Sequence, residues 1–256
     1  MIHYHGGPVT PNEAAVALWT RRHALVSFER QDQTSLAYEV AQTVLKDCGA
    51  FSKWRGDGSD VDLDGYVDWC IEWQLHPADD GAIIPDKIDG NAFDNDRLIA
   101  RWHQHPSRPR GGIPVWHMHE DVERLRYLMQ CARGGVYRSV ALGSSGQWDT
   151  PGTDAWWVRM SEAMDVVCDE EGRPLCKLHG LRMLSPTIFS HLPLASADSC
   201  NVARNIGLDK RWSGPYAPVT PQQRSLVLAE RIELHAAAAR WNRRRHGVQH
   251  NLELIG

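Results

Sequence analysis

Acids and histidines recur where short apolar runs end. Thr43-Val44-Leu45 leads into Asp47, Ala82-Ile83-Ile84-Pro85 into Asp86, Ile113-Pro114-Val115-Trp116 into His117, Cys176-Lys177-Leu178 into His179, and Leu194-Ala195-Ser196-Ala197 into Asp198. The first run, Ile2-His3-Tyr4, ends in His5, and Arg138-Ser139-Val140-Ala141-Leu142 ends in Gly143-Ser144-Ser145-Gly146. Three acids and three histidines at one place would support two chemistries. In the first, one carboxylate attacks an anomeric carbon while a second handles the proton on the departing or arriving group. Asp198 and Asp47 could take these parts, with Asp86 left to bind the base. In the second, a metal activates water. His3 and His5 lie two apart and share a strand face; with His117, His179 and Asp198 they resemble the ligand set of the amidohydrolase barrels. That set is incomplete, because the sixth run ends without a histidine and Asp86 stands where a bridging lysine is expected. A lone acid at a strand end is more often a cap, and a lone histidine more often a core group. The joint recurrence is what points to a site.

Eight apolar runs must position these groups: Ile2–His5, Ala24–Phe28, Thr43–Asp47, Ala82–Asp86, Ile113–His117, Arg138–Leu142, Cys176–His179 and Leu194–Ala197. Helical patterns separate them. Thr10-Pro11-Asn12-Glu13 supplies a cap, a first-turn proline and an acid, and opens a helix to about Arg22. Others are predicted from Leu36 to Gln42, Asp62 to Trp73, Asn95 to Trp102, Glu120 to Ala132, Asp154 to Cys168 and Pro186 to Ser190. Eight strands alternating with helices predict an α/β fold of the (β/α)8 TIM-barrel type, whose active site lies at the C-terminal strand ends. Gln222 to Arg245 reads as one helix closing the barrel. The whole chain, 1–256, reads as a single domain, with a core over 1–206 and an extension over 207–256.

No apolar run approaches the roughly 20 residues of a membrane helix, and Met1-Ile2-His3-Tyr4-His5 lacks the pattern of a signal peptide. No membrane association and a cytoplasmic location are expected. Six scattered cysteines without a Cys-x-x-Cys pair predict neither a zinc ribbon nor disulfides. A net charge of −4 argues against a uniformly basic coat, yet local cationic patches are what nucleic acid feels. Such patches are Lys53 and Arg55 around Trp54, Arg108 and Arg110 in the stretch from Arg101, and Arg204 with Lys210 and Arg211. Each is equally a solvated face.

The motifs also carry a resemblance. Asp47-Cys48-Gly49-Ala50-Phe51 is similar to the Asp-Ser-Gly-Gly-Phe motif of the tRNA-guanine transglycosylases. Ile84-Pro85-Asp86 resembles the strand end where that family holds the guanine edge. Leu142-Gly143-Ser144-Ser145-Gly146 resembles its base-contacting glycine-rich loop, and Ser196-Ala197-Asp198-Ser199 the segment of its nucleophile. The ordered set spans roughly residues 2 to 206, and with Lys177-Leu178-His179-Gly180-Leu181 the likeness is greatest to the DpdA-type DNA 7-deazaguanine transglycosylases, mostly phage-encoded. The resemblance implies exchange of guanine in DNA for a base such as 7-cyano-7-deazaguanine (preQ0), on a flipped or single-stranded nucleotide, without cofactor or metal. It implies Asp198 as nucleophile, Asp47 as general acid and base, and Asp86, His117, His179, Phe51 and the backbone of Gly143, Ser144 and Ser145 around the base. Ala50 replaces the second glycine, Trp116-His117 replaces a base-reading glutamine, and only Cys200 follows Asp198, so the family's zinc site is not expected. A base-excising DNA glycosylase on the same scaffold, the metal-dependent hydrolase and an inactive DNA-binding barrel stand as alternatives.

Overall fold

Short strands buried on both faces need partners on both sides, and a closed ring provides them. In the computed structural model, which describes residues 1–56, 58–107, 109–207, 212 and 218–243, the apolar runs form a nearly closed parallel barrel surrounded by helices. The strands are β1 (Ile2–Gly6), β2 (His23–Ser27), β3 (Thr43–Asp47), β4 (Asp79–Ile83), β5 (Gly112–Ile113), β6 (Val115–His117), β7 (Val140–Gly143), β8 (Leu178–Gly180) and β9 (Ser196–Ser199). Their order is β5-β4-β3-β2-β1-β9-β8-β7-β6, every pairing parallel.

The predicted fifth strand is broken at Pro114, which lacks the N–H a ladder needs. On one side Ile84 donates to the Ile113 carbonyl (2.9 Å), and on the other Ala141 donates to the Pro114 carbonyl (2.9 Å). The ring therefore closes through the chain itself, β5 belonging to β4 and β6 to β7. Inside it pack Tyr4, Leu25, Leu45, Ile83, Ile113, Val115 and Ala141. The alternate residues, among them Val44, Ala82, Trp116, Leu142, Leu178 and Ala197, face the outer core under the helices.

The helices are α1 (Asn12–Trp19), α2 (Thr34–Val40), α3 (Ala50–Arg55), α4 (Leu63–Trp73), α5 (Ala92–Gln104), α6 (Val122–Arg133), α7 (Asp154–Val167), α8 (Pro186–Phe189), α9 (Asn201–Asn205) and α10 (Pro221–Glu233). Side-chain caps fix several starts. Asp62 accepts the Gly65 N–H, while Asn91 with Asp94 and Thr220 with Gln223 form reciprocal boxes. The Asn91 box starts α5 before the expected Asn95, whose amide instead binds the Lys87 backbone and Glu120.

Three expectations need correction. β4 runs over Asp79–Ile83, so Asp86 lies beyond its end, and α3, a helix absent from the predicted set, begins directly after Gly49. The C-terminal helix stops at Glu233: the alanine-rich stretch after it binds elsewhere, Ala238 donating to the Leu192 carbonyl and Trp241 to that of Gly172 (2.7 Å). The expected end at Arg245 lies outside the described residues. Among the described residues no helix is long and apolar enough to cross a membrane.

Candidate active site

Strand parity decides which side chains meet. Leu45 points into the barrel, so Asp47, two residues on, does too; by the same rule Val115 brings His117, Ala141 brings Gly143, and the inward face of β9 carries Asp198. On β1 the inward residues are Ile2 and Tyr4, which puts His3 and His5 outside. His3 packs edge-on against Phe189, and His5 bonds Glu233 of α10 at 2.9 Å. The metal set of His3, His5, His117, His179 and Asp198 is thus not brought together, and among the described residues no three His, Cys, Asp or Glu groups are arranged to hold a metal.

Asp47 sits where β3 gives way to α3. Its carboxylate accepts the Gly49 N–H at 3.0 Å. Gly49 has φ 81, and a Cβ there would lie 2.4 Å from Glu29 Cγ, so glycine is needed for the chain to turn and present that N–H. Asp47 is partly open to the mouth yet packed round on all sides. Burial, then the charges of Asp198 and Asp86, push its carboxyl up to about 7. Acids from the segment after β4 and from β9 are therefore within electrostatic reach of Asp47 on β3.

Each of the other acids has a histidine. His117 Nε2 lies 2.8 Å from Asp86 Oδ2, off the line of a hydrogen bond, and its Nδ1 is buried without a partner. Among the described residues the second Asp86 oxygen has only the Cys48 thiol, at 3.5 Å, a weak donor. Burial first, then Asp86 and Asp47, push that thiol's pKa upward, so Cys48 is no thiolate. His179 Nε2 lies 3.3 Å from Asp198 Oδ1, and its Nδ1 pairs with Ser196 Oγ at 2.9 Å. The turn after β8 wraps round Asp198: the Arg182 N–H donates to Oδ1 at 3.1 Å, and the Leu184 N–H to its carbonyl at 3.0 Å.

The Gly143–Ser145 segment lines the same rim. Ser144 Oγ accepts the Trp156 indole N–H (2.8 Å) and Ser145 Oγ pairs with His119 Nδ1 (2.7 Å), so both hydroxyls serve the scaffold. A Cβ on Gly143 would lie 2.9 Å from His117 Nδ1. Phe51, in the first turn of α3, is half-buried, with the Arg182 guanidinium carbon 3.9 Å from its ring centroid. Sequence reasoning missed Arg182. It sits at φ 59, where arginine is uncommon, and nothing in its flanking residues announces that.

The cationic candidates divide. Arg55 is exposed, lies over Trp54 (5.0 Å) and Phe51 (5.5 Å), and reaches Asp149 at 3.3 Å. Lys53 pairs with Glu29 at 3.4 Å. Arg204, exposed on α9, stands near enough for its charge to act on Arg182. Arg110 is not part of this rim: it precedes β5, at the N-terminal end of the barrel, where its N–H binds the Gln74 side chain (3.2 Å). Arg108, Lys210 and Arg211 lie outside the described residues.

No family model, curated protein or solved structure matches this chain. Carboxyl groups that share one mouth cannot all ionise cheaply, and one that holds its proton near neutrality can work as acid and base beside a neighbour acting as nucleophile.

Proposed function

We propose that the protein is a DNA-guanine transglycosylase, a base-exchanging pentosyltransferase that replaces guanine with a 7-deazaguanine such as preQ0. The observation that carries this reading is the convergence of Asp47, Asp86 and Asp198 at the C-terminal rim, with Asp47 raised to about 7 by burial and by the other two. The ordered motifs around those acids, and their resemblance to guanine-exchanging enzymes, supply the substrate.

In this mechanism the target nucleotide leaves the stack and enters the mouth base-first. An Asp198 oxygen attacks C1′ as the C1′–N9 bond breaks, through a transition state of oxocarbenium character. Asp47, protonated, gives its proton to the departing guanine. A glycosyl ester on Asp198 remains. The incoming 7-deazaguanine gives its proton to Asp47 and attacks C1′ through N9, which releases the Asp198 carboxylate and restores both acids. Asp86 accepts N–H bonds from the base edge through the oxygen that, among the described residues, meets only the Cys48 thiol. His117 stands beside Asp86 and His179 beside Asp198, and the Arg182 N–H holds the Asp198 carboxylate. Phe51 and the Gly143–Ser145 backbone close round the base.

Incubation with guanine-containing oligonucleotides and preQ0, followed by nucleoside mass spectrometry, tests the reading. A new deazaguanosine supports it, whereas abasic sites alone would move the assignment to a base-excising glycosylase. Denaturing gels should show a protein–DNA adduct that Asp198→Ala abolishes. An adduct formed at full yield by that variant would remove Asp198 as nucleophile.

A further inference from the structure

Arg182 combines features that a purely structural arginine does not need. Its backbone is left-handed (φ 59), a conformation unfavourable for a side chain with a Cβ, and its N–H holds the Asp198 carboxylate. Its guanidinium crosses the mouth, giving Nη2 to the Ser144 carbonyl at 2.8 Å and laying its face on Phe51. A guanidinium carries several N–H donors in a planar fork. Among the described residues no carboxylate lies within ion-pair distance of this one. Asp198 and Asp149 act on it from further off, and Arg55 and Arg204 oppose them with like charge. A half-buried cation whose other donors bond no group among the described residues, with like-charged neighbours, is arranged to receive an anion.

The charge layout says which anion. Acids line the inside of the mouth, and Arg55, Arg182 and Arg204 stand on its edge. A nucleotide entering base-first brings an uncharged base and C1′ to the acids and leaves its phosphate at the edge. The same acids repel a phosphate pushed deeper, so charge sets both orientation and depth of entry. We infer that Arg182 is the phosphate-binding residue of this site, leaving Phe51 to clasp the phosphate of the target nucleotide while its own N–H keeps the nucleophile in place. This inference rests on the nucleotide-handling reading of the acid ring. It makes a phosphate-bearing nucleotide a better ligand than the free nucleoside. The phosphate can be the nucleotide's own 5′ group or the 3′ phosphodiester of a strand.

The test compares the parent protein with Arg182→Gly and Arg182→Lys. Glycine suits the left-handed backbone and keeps the N–H to Asp198, so R182G should melt no lower than the parent. Binding of 2′-deoxyguanosine, its 5′-monophosphate and a short single-stranded oligonucleotide with one guanine is measured over a range of salt. For the phosphate-bearing ligands R182G should bind about tenfold or more weakly, from the loss of one charge-assisted contact, with little change for the nucleoside. The slope of log affinity against log salt for the oligonucleotide should become shallower by about one, and R182K should fall between. A loss on the monophosphate assigns the 5′ group, and a loss on the oligonucleotide alone assigns the 3′ phosphodiester. Equal oligonucleotide affinities for R182G and parent would overturn the inference, as would a parent that binds the nucleoside as well as its monophosphate and the strand. If the contrast holds but no adduct or base exchange is found, the chemistry proposed for Asp198 fails and the phosphate site stands.

Discussion

An aspartate held near neutrality is the most sensitive group in the molecule. In the unfolded chain Asp47 titrates near the ordinary 3.8, but in the fold it holds its proton to about 7, mainly through burial and then through Asp198 and Asp86. Between those values the folded state binds more protons than the unfolded one, so this group lowers stability as pH rises through that window, and the penalty is complete above it. Asp47→Asn, which keeps an acceptor for the Gly49 N–H, should leave the melting temperature nearly unchanged at or below pH 3.8 and raise it increasingly as pH climbs to about 7. A thermal melt series across pH checks this, and equal shifts at both ends would contradict the carboxyl cluster. In the proposed reaction the leaving base takes the proton of Asp47, so base release should decline above about pH 7, and D47N should lose roughly a hundredfold or more, within the usual span for general acid–base catalysis. Asp47, His117, His179 and Asp198 stand out in the sequence as the ends of apolar runs, and strand parity turns all four inward at the mouth. His5 was misread for the same reason: β1 extends to Gly6, and parity puts His5 outside. Arg182 was not legible, since its contacts with Ser144, Phe51 and Asp198 come from distant parts of the chain.

At the scale of elements, eight apolar runs separated by capped helical patterns were enough to predict the barrel. Register was harder to read. Asp79 and Asp80 look like loop residues, yet they open β4. Lys46 and Tyr38 satisfy the first, and Tyr4 and Arg138 the second. The glycines mark where elements approach most closely, at opposite ends of the barrel. At the mouth, Gly143→Ala would drive a methyl group into His117 Nδ1 and, at 3.2 Å, Val115 Cγ1. Overpacking of this kind costs about 1–3 kcal/mol. Because His117 Nε2 lies 2.8 Å from Asp86 Oδ2, a displaced ring should disturb that acid, and on the proposed reading the affinity for guanine or preQ0 should weaken as well. At the other end, Gly81 has φ 87 and an added Cβ would lie 2.5 Å from the Gly111 carbonyl oxygen. Gly81→Ala should therefore lose at least as much stability in urea unfolding, while base exchange per folded molecule stays at the parent level. If the two variants reversed these behaviours, the acids would be at the wrong rim.

Taken whole, the barrel is joined start to end, since β1 lies between β2 and β9, and α10 locks that seam from outside. Glu233, in the last turn of α10, takes the Arg22 guanidinium Nε at 2.8 Å and His5 Nε2 at 2.9 Å, while Ser225 of the same helix donates to the Ala14 carbonyl. His5 is fully buried, so removing the carboxylate strands a buried nitrogen as well as an arginine. Burial alone would raise the Glu233 pKa, but hydrogen bonds from His5 and Arg22 outweigh it and leave the carboxyl below its usual value of 4.5. The sign follows: this group's contribution is fully present above that value and is lost as pH falls through the lower folded value. Glu233→Gln should lower stability at pH 7 by on the order of 1–2 kcal/mol, because the site is half-open and solvent screens the charges, and the difference from the parent should shrink in melts below pH 4.5. The acids of the mouth face the other side of the β1 wall, so the folded fraction of E233Q should exchange bases at the parent rate. A large loss of exchange at unchanged stability would mean that α10 reaches the chemistry, and that the outward course of His5 is not the whole of its role.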